Sequence, residues 1–295
     1  RRKCPSAPPI GTAQGQVEFI KMNGYTWGAR KDMGILDVEG LSAGYGSGFV
    51  LRDVTLTVEP GEFVAILGRN GSGKSTLIKA VQNLLGNVRG RVVCDGAEVF
   101  RTGPRRLAAA IAYVPQLAEP AFEFTVEEIV LMGRFARQGR LERASGGDRD
   151  AIASAMRLTE ISGLASKRLS QLSGGERQRV FIARALAQDT PVLLLDEPSL
   201  HLDINYQVEV YGILKALQKD RGKTVVAAEH NINLAAAHAE RLLFLKDGTL
   251  AAEGAPGETI TTEAIREIFG AEVDVRPNAR TGLPEISLAA KGAAG

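Results

Sequence analysis

Three short segments of the 295-residue sequence bring together residue types suited to phosphate chemistry. The first is Gly68-Arg69-Asn70-Gly71-Ser72-Gly73-Lys74-Ser75-Thr76, which satisfies the pattern G-x-x-x-x-G-K-[ST]. Glycines at this spacing let backbone N–H groups turn inward around phosphate oxygens, and the start of a following helix adds its positive dipole end. In such a loop Lys74 reaches the β- and γ-phosphates of a nucleotide, and the Ser75 hydroxyl ligates Mg²⁺. The second segment, Val192-Leu193-Leu194-Leu195-Asp196-Glu197, is an apolar strand that ends in two acids. A carboxylate at the C-terminal end of a parallel strand lies where a doubly wound sheet binds its ligand. Successive residues of a strand point to opposite faces, so Asp196 is suited to holding the metal and Glu197 to polarising a water. The alternative is a strand-end pair that merely caps the next helix. The third segment, Leu172-Ser173-Gly174-Gly175-Glu176-Arg177-Gln178, precedes a helix expected over Arg179 to Gln188 and forms a second anion cradle at its start.

The elements that must position these groups follow from periodicity. Val50 to Val58 alternates apolar and polar residues, and Phe63 to Leu67 is a short apolar run fit for a strand buried on both faces. Ser75 to Leu85 has helical spacing and stops at Gly86. From Pro104 to about Leu172 the pattern is mostly helical, with a polar break over Gly139 to Asp150 and a capping box at Thr125-Val126-Glu127-Glu128. Strand and helix then alternate: Val192 to Leu195, Tyr206 to Lys219, Thr224 to Ala228, Ile232 to Ala239, Arg241 to Lys246, and a hairpin partner at Leu250 to Glu253. This order predicts an α/β fold with a parallel-sheet core and an inserted helical lobe over about 104–175.

With all three segments in order, the chain resembles the ATP-binding cassette (ABC) ATPase family, whose signature reads LSGGQ or LSGGE. The resemblance covers about Ile35 to Glu258. It implies a P-loop NTPase core with an N-terminal antiparallel β subdomain, binding ATP and Mg²⁺. It implies further that Tyr45 stacks on adenine, that Gln116 links the two lobes and reaches the metal, and that Ser173 and Gly175 hold the γ-phosphate of ATP bound by a second copy. Asp203 is then the loop aspartate after the catalytic strand, and His230 the switch histidine. One chain carries two cradles and one P-loop lysine, which suits two copies paired head to tail. Each of these single residues has a plainer alternative: Tyr45 as a turn aromatic, Gln116 as a loop cap and His230 as a core or surface histidine. Asn231 departs from the family's usual Asp, and Ser199-Leu200-His201-Leu202-Asp203 departs from its commoner form. His201 and His238 read as structural.

Several stretches, Thr125 to Arg134, Asp196 to Glu209, Asn231 to Ala239 and the tail Phe269 to Ile286, are similar to import ATPases for iron-siderophores, haem and cobalamin. That resemblance implies permease subunits docked near Gln116 and residues 117–140, and indirectly a substrate-binding protein. A soluble ABC ATPase, for example in iron–sulfur cluster assembly, is the alternative.

Composition agrees. Lys and Arg number 36 against 34 Asp and Glu, a net charge of +2, so nothing marks a general polyanion or nucleic-acid binder. Cys4 and Cys94 stand far apart without metal-ligand neighbours. No apolar run approaches the roughly 20 residues of a spanning helix, and no apolar segment follows the basic start, so the chain reads as cytoplasmic, and the importer resemblance implies a peripheral place on the cytoplasmic face of the membrane. Residues 1–32 read as a flexible extension or appended remnant with Met33 as the natural-looking start, residues 33–270 as the ATPase domain, and 271–295 as a partly flexible C-terminal extension.

Overall fold

The computed structural model describes residues 17–22, 25–30, 34–116, 123–137 and 145–288. The expected start at Met33 and the end of the tail lie outside these residues. The residues up to Met33 form a unit of their own. Within it β1 (Val17–Met22) and β2 (Tyr25–Arg30) pair antiparallel, Val17 opposite Arg30 and Met22 opposite Tyr25. This hairpin lies within the segment read as a flexible extension or appended remnant. The dipeptide between the strands in the sequence, Asn23-Gly24, is a strong hairpin signal.

From Gly34 onward two sheets carry the molecule. The smaller one has the order β4-β3-β6-β7, built from β3 (Leu36–Gly44), β4 (Leu51–Val58), β6 (Asn87–Cys94) and β7 (Ala97–Glu98), all antiparallel. The larger sheet has the order β12-β11-β5-β10-β9-β8. Its strands are β5 (Phe63–Leu67), β8 (Ile111–Val114), β9 (Val192–Asp196), β10 (Thr224–Ala228), β11 (Arg241–Lys246) and β12 (Thr249–Gly254). All pair parallel except the β11–β12 hairpin.

Every residue of β5, β9 and β10 is buried, so the two faces of these strands feed two cores. Phe63, Ala65, Leu67, Leu193 and Leu195 face one core with the helical lobe, while Val64, Ile66, Val192, Leu194 and Val226 face the other with the antiparallel sheet. The helices that cover the sheet are α1 (Lys74–Val81), α2 (Pro104–Ala110), α3 (Val126–Met132), α4 (Gly146–Leu158), α5 (Gly174–Gln188), α6 (Ile204–Arg221), α7 (Ile232–His238), α8 (Pro256–Thr259) and α9 (Thr262–Phe269). A C-terminal hairpin follows, β13 (Val273–Pro277) with β14 (Pro284–Leu288).

Three local expectations need correction. Helix α1 ends at Val81 rather than Leu85, because Asn83 takes a left-handed conformation at φ 57° and breaks the backbone ladder. The stretch from Pro104, expected to be helical, contains strand β8, whose pairing with β9 puts it inside the central sheet. The polar break ends earlier than Asp150: Ser145 accepts from the N–H of Asp148, and the Asp148 carboxylate accepts from Ser145 N–H at 2.9 Å, so a capping box starts α4 at Gly146. The box expected at Thr125 is present, with Glu128 accepting from Thr125 N–H at 2.8 Å.

Candidate functional site: a cleft at the strand ends

The loops that follow β5, β9 and β10 leave the sheet at its carboxyl edge and meet in one cleft of about 660 Å³. The cleft is lined by Tyr45, Asn70, Gly71, Gly73, Lys74, Ser75 and Thr76, and on its other side by Gln116, Glu197 and His230. These ten were singled out from sequence, and the fold brings them together.

The loop after β5 is shaped by its glycines. Gly73 caps α1 at φ 107°, and a Cβ there would lie 2.5 Å from the Leu51 side chain, so no other residue fits without displacement. Lys74 is only 4% exposed, and its ammonium donates to Gly68 O at 2.8 Å, lying over the loop. Burial pulls its pKa down, against the opposing pull of Glu197, Asp196 and Glu229. Ser72 Oγ is buried beside Gly68 and has no hydrogen-bond partner among the described residues.

Ser75 Oγ donates to Asp196 Oδ1 at 2.8 Å. Burial raises the Asp196 carboxyl; the Ser75 bond opposes this and neighbouring Glu197 reinforces it. Tyr113 of β8 stands against the same carboxylate, and burial together with Asp196 pushes its phenol up to about 12. A hydroxyl and a carboxylate 2.8 Å apart at the rim of this glycine-rich loop would supply two hard oxygen ligands of the kind Mg²⁺ takes. The residues therefore fit both a nucleotide and its metal.

Glu197 adopts a left-handed backbone at φ 52°, a strained choice for this residue type. One carboxylate oxygen accepts from Gln116 Nε2 at 3.0 Å, and the other contacts His230 Nε2. The three side chains thus form one chain of contacts, with Glu197 12% and His230 34% exposed. Asn231, which replaces the residue usual in the resembled family, accepts from Leu234 N–H at 3.1 Å and caps α7, a task Asn does as well as Asp.

Tyr45 is 52% exposed at the cleft's edge, with the Lys79 ammonium 5.9 Å from its ring centroid. The Ser173-Gly174-Gly175 triplet does not line the cleft. It starts α5, where Ser173 Oγ accepts from Glu176 N–H at 3.3 Å and the Glu176 carboxylate accepts from Ser173 N–H at 2.8 Å. Asp203 is exposed at the start of α6 and makes no side-chain cap. His238 packs against Tyr211 at 5.0 Å between ring centroids, and burial lowers its pKa.

Sequence reasoning missed Tyr113 and Glu229. Glu229 directly follows β10 as Glu197 follows β9, a buried acid after an apolar run, and that same signal could have found it.

Residues 51–200 match the family model described as ABC transporter. The chain is 37% identical over 84% of its length to the ferric enterobactin transport ATP-binding protein FepC of Escherichia coli, covering 92% of that protein. It is 39% identical over 86% of its length to the uncharacterised ABC transporter ATP-binding protein YvrA of Bacillus subtilis, and spans 58% of that longer relative. Among solved structures, an inward-facing putative metal-chelate type ABC transporter superposes with a TM-score of 0.77 at 27% identity, over 87% of this chain and 98% of that one. With a family model matched over half the chain and a relative covered almost end to end, the chain belongs to the ABC transporter family, among its ATP-binding subunits.

Proposed function

We propose that this chain hydrolyses ATP to drive a membrane importer of metal chelates, of the iron-siderophore, haem or cobalamin kind. The observation that carries the reading is the cleft itself: Lys74, the Ser75–Asp196 pair and the Gln116–Glu197–His230 contacts meet at one phosphate loop. The cargo class rests on the likeness to the ferric enterobactin and metal-chelate transport proteins.

Two copies pair head to tail, so that the Ser173-Gly174-Gly175 helix start of one faces the triphosphate in the cleft of the other. Asp203 lies at the same junction. Tyr45 stacks on adenine, while Asn70 to Thr76 wrap the phosphates with N–H groups and Lys74 neutralises the terminal ones. Ser75 and Asp196, with Gln116 nearby, would hold Mg²⁺, which when bound would offset the negative charge of the phosphates. Glu197 orients the attacking water and takes its proton, and His230 holds Glu197 and the γ-phosphate in register. A positioned base of this kind contributes roughly 10²–10⁴ in rate.

The permease docks on the lobe beyond Gln116. Part of that surface lies outside the described residues, and Phe135 within it is 59% exposed. The subunit acts from the cytoplasmic face as a peripheral partner of permease chains, which in turn meet a substrate-binding protein. No helix among the described residues is long and apolar enough to cross a membrane. Nucleic acid has no part in it.

The test is to tag the chain as Glu197→Gln and identify what co-purifies from detergent-solubilised membranes with and without ATP. Recovery of a many-helix permease supports the importer. Recovery of soluble partners alone overturns it in favour of a soluble ABC ATPase and leaves the nucleotide chemistry standing.

A further inference from the structure

Glu229 has a role that neither the phosphate loop nor the proton transfer uses. It is 1% exposed at the end of β10, and its own N–H donates to Ile66 O at 2.9 Å, which locks its backbone to β5. One carboxylate oxygen accepts from Tyr211 Oη at 2.5 Å. The other accepts from Ser199 Oγ at 2.9 Å and from the His230 N–H at 3.1 Å. Donors from three parts of the chain therefore converge on one buried side chain.

Each donor matters for what it is attached to. Tyr211 lies on α6, fully buried and stacked on Phe63 at 6.0 Å between centroids, so it anchors the carboxylate to the rigid core. Ser199 stands two residues after Glu197, in the loop that leads to Asp203. His230 contacts Glu197 across the cleft. A carboxylate is expensive to bury and is retained only when hydrogen bonds compensate it. Burial raises its pKa, and the Tyr211 and Ser199 bonds oppose that rise. An apolar side chain would end a buried strand at less cost but could hold none of these donors.

We propose that Glu229 is a positioning residue for ATP hydrolysis: a buried strut that fixes the loop Glu197–Asp203 and His230 in one arrangement, so that movement of the partner-facing loop is felt at the water-orienting pair. The proposal rests on the ATPase reading above. Ser199 and the His230 N–H both bind a single Glu229 oxygen, so the loop's midpoint is coupled to the histidine's backbone through that one atom.

The experiment compares steady-state ATP hydrolysis and thermal unfolding for the full chain and four variants: Glu229→Leu, Glu229→Gln, Ser199→Ala and Ser199→Ala/Glu229→Gln. Glu197→Gln is the control. Glu229→Leu is expected to lower kcat about tenfold, the rate equivalent of a lost hydrogen bond to a charged group, with KM for ATP unchanged. Glu229→Gln keeps one acceptor and falls between Leu and wild type. The effects of Ser199→Ala and Glu229→Gln combine less than additively, because Gln turns the charged acceptor of the Ser199 bond into a weaker neutral one and Ser199→Ala removes that same bond. A wild-type kcat in folded Glu229→Leu overturns the proposal, as does strict additivity of Ser199→Ala with Glu229→Gln. Should Glu229→Leu fail to fold, the Ser199 pair still decides the question. Wild-type hydrolysis in Glu197→Gln sinks the ATPase mechanism instead, so the two failures are distinct.

Discussion

Gly175→Ala sets two physical effects of opposite sign against each other. Gly175 is the second residue of α5, and replacing a helical glycine by alanine ordinarily stabilises by about 0.5–1 kcal/mol. Here the added Cβ would stand 2.3 Å from Cγ and Cδ1 of the Tyr206 ring and 2.9 Å from Cδ2. Carbon atoms in contact sit about 3.5–4.0 Å apart, so the ring must retreat by more than an ångström. Tyr206 belongs to the first turn of α6, close to Asp203, and a flat ring moves as a whole. Overpacking of this kind costs about 1–3 kcal/mol, so the midpoints of cost and gain, about 2 against about 0.75, leave a net loss of about 1 kcal/mol.

Urea denaturation measures that loss as a lowered midpoint at constant slope. In a Tyr206→Ala background the Gly175→Ala penalty should vanish, since Cγ and the ring atoms that meet the new Cβ are gone. A single variant as stable as wild type, or more so, would refute the packing argument. Hydrolysis by the double variant then separates packing from function. If it stays lost while the stability penalty is gone, the Cβ itself blocks the approach of the partner's triphosphate, as the head-to-tail dimer requires.

Three further perturbations follow from the geometry. Arg134 Nε donates to Asp148 Oδ1 at 2.7 Å and its Nη1 to Ala187 O at 2.7 Å, both side chains being largely buried, so Arg134→Met should destabilise the lobe by about 3–5 kcal/mol in urea denaturation. The Arg134 bond, then the Ser145 N–H, hold the Asp148 carboxyl down to about 2. A depressed carboxyl stabilises above the ordinary Asp range near ~3.9, so the gap between wild type and Arg134→Met should close as pH falls from about 4 toward 2; a constant gap would contradict the pairing. Tyr45→Ala should weaken nucleotide binding about two- to tenfold in a titration, and an unchanged affinity would return Tyr45 to a plain turn aromatic. Asn233 Nδ2 donates to Ile286 O at 3.0 Å and its Oδ1 accepts from Ile286 N–H at 2.8 Å, so Asn233→Ala should speed amide exchange in β14 about tenfold, while unchanged protection would show that the hairpin is held by other contacts.

What the sequence disclosed divides along physical lines. Phe63 to Leu67 and Thr224 to Ala228 were legible to the residue because a strand buried on both faces is an unbroken apolar run between polar ends. The phosphate loop was legible because its glycines and serines answer to backbone geometry, which is local, whereas α5 starts at Gly174 rather than the expected Arg179 because Ser173 and Glu176 form a capping box. Ile111–Val114 was not: four apolar residues between a helix and Pro115 fit either period, and only the pairing with β9 makes them a strand. Leu84 and Leu85 continue a helical stripe on paper, yet Asn83 turns the chain left-handed before them. Asn233 holds a backbone 53 residues away, and nothing around Asn233 encodes that distance. Glu229 was legible in principle, but His230 beside it has a chemistry that is easier to recognise.

The strain at Glu197 can be isolated from its chemistry. A left-handed backbone costs a residue with a Cβ about 1–2 kcal/mol relative to glycine, and Glu197 holds φ 52° at the head of the loop to Asp203. Glu197→Ala and Glu197→Gly both remove the carboxylate, and with it the contacts to Gln116 and His230, so those losses cancel when the two variants are compared. What remains is the backbone. In a strand or helix alanine would be the more stable by about 0.5–1 kcal/mol. At φ 52° the order should reverse, with glycine ahead by about 1 kcal/mol, while neither variant hydrolyses ATP. Alanine ahead of glycine in urea denaturation would mean that the chain relaxes this turn at no cost. Glycine ahead would mean that the fold holds the carboxylate proposed to orient water in a conformation the residue does not favour, against the pull of its own backbone.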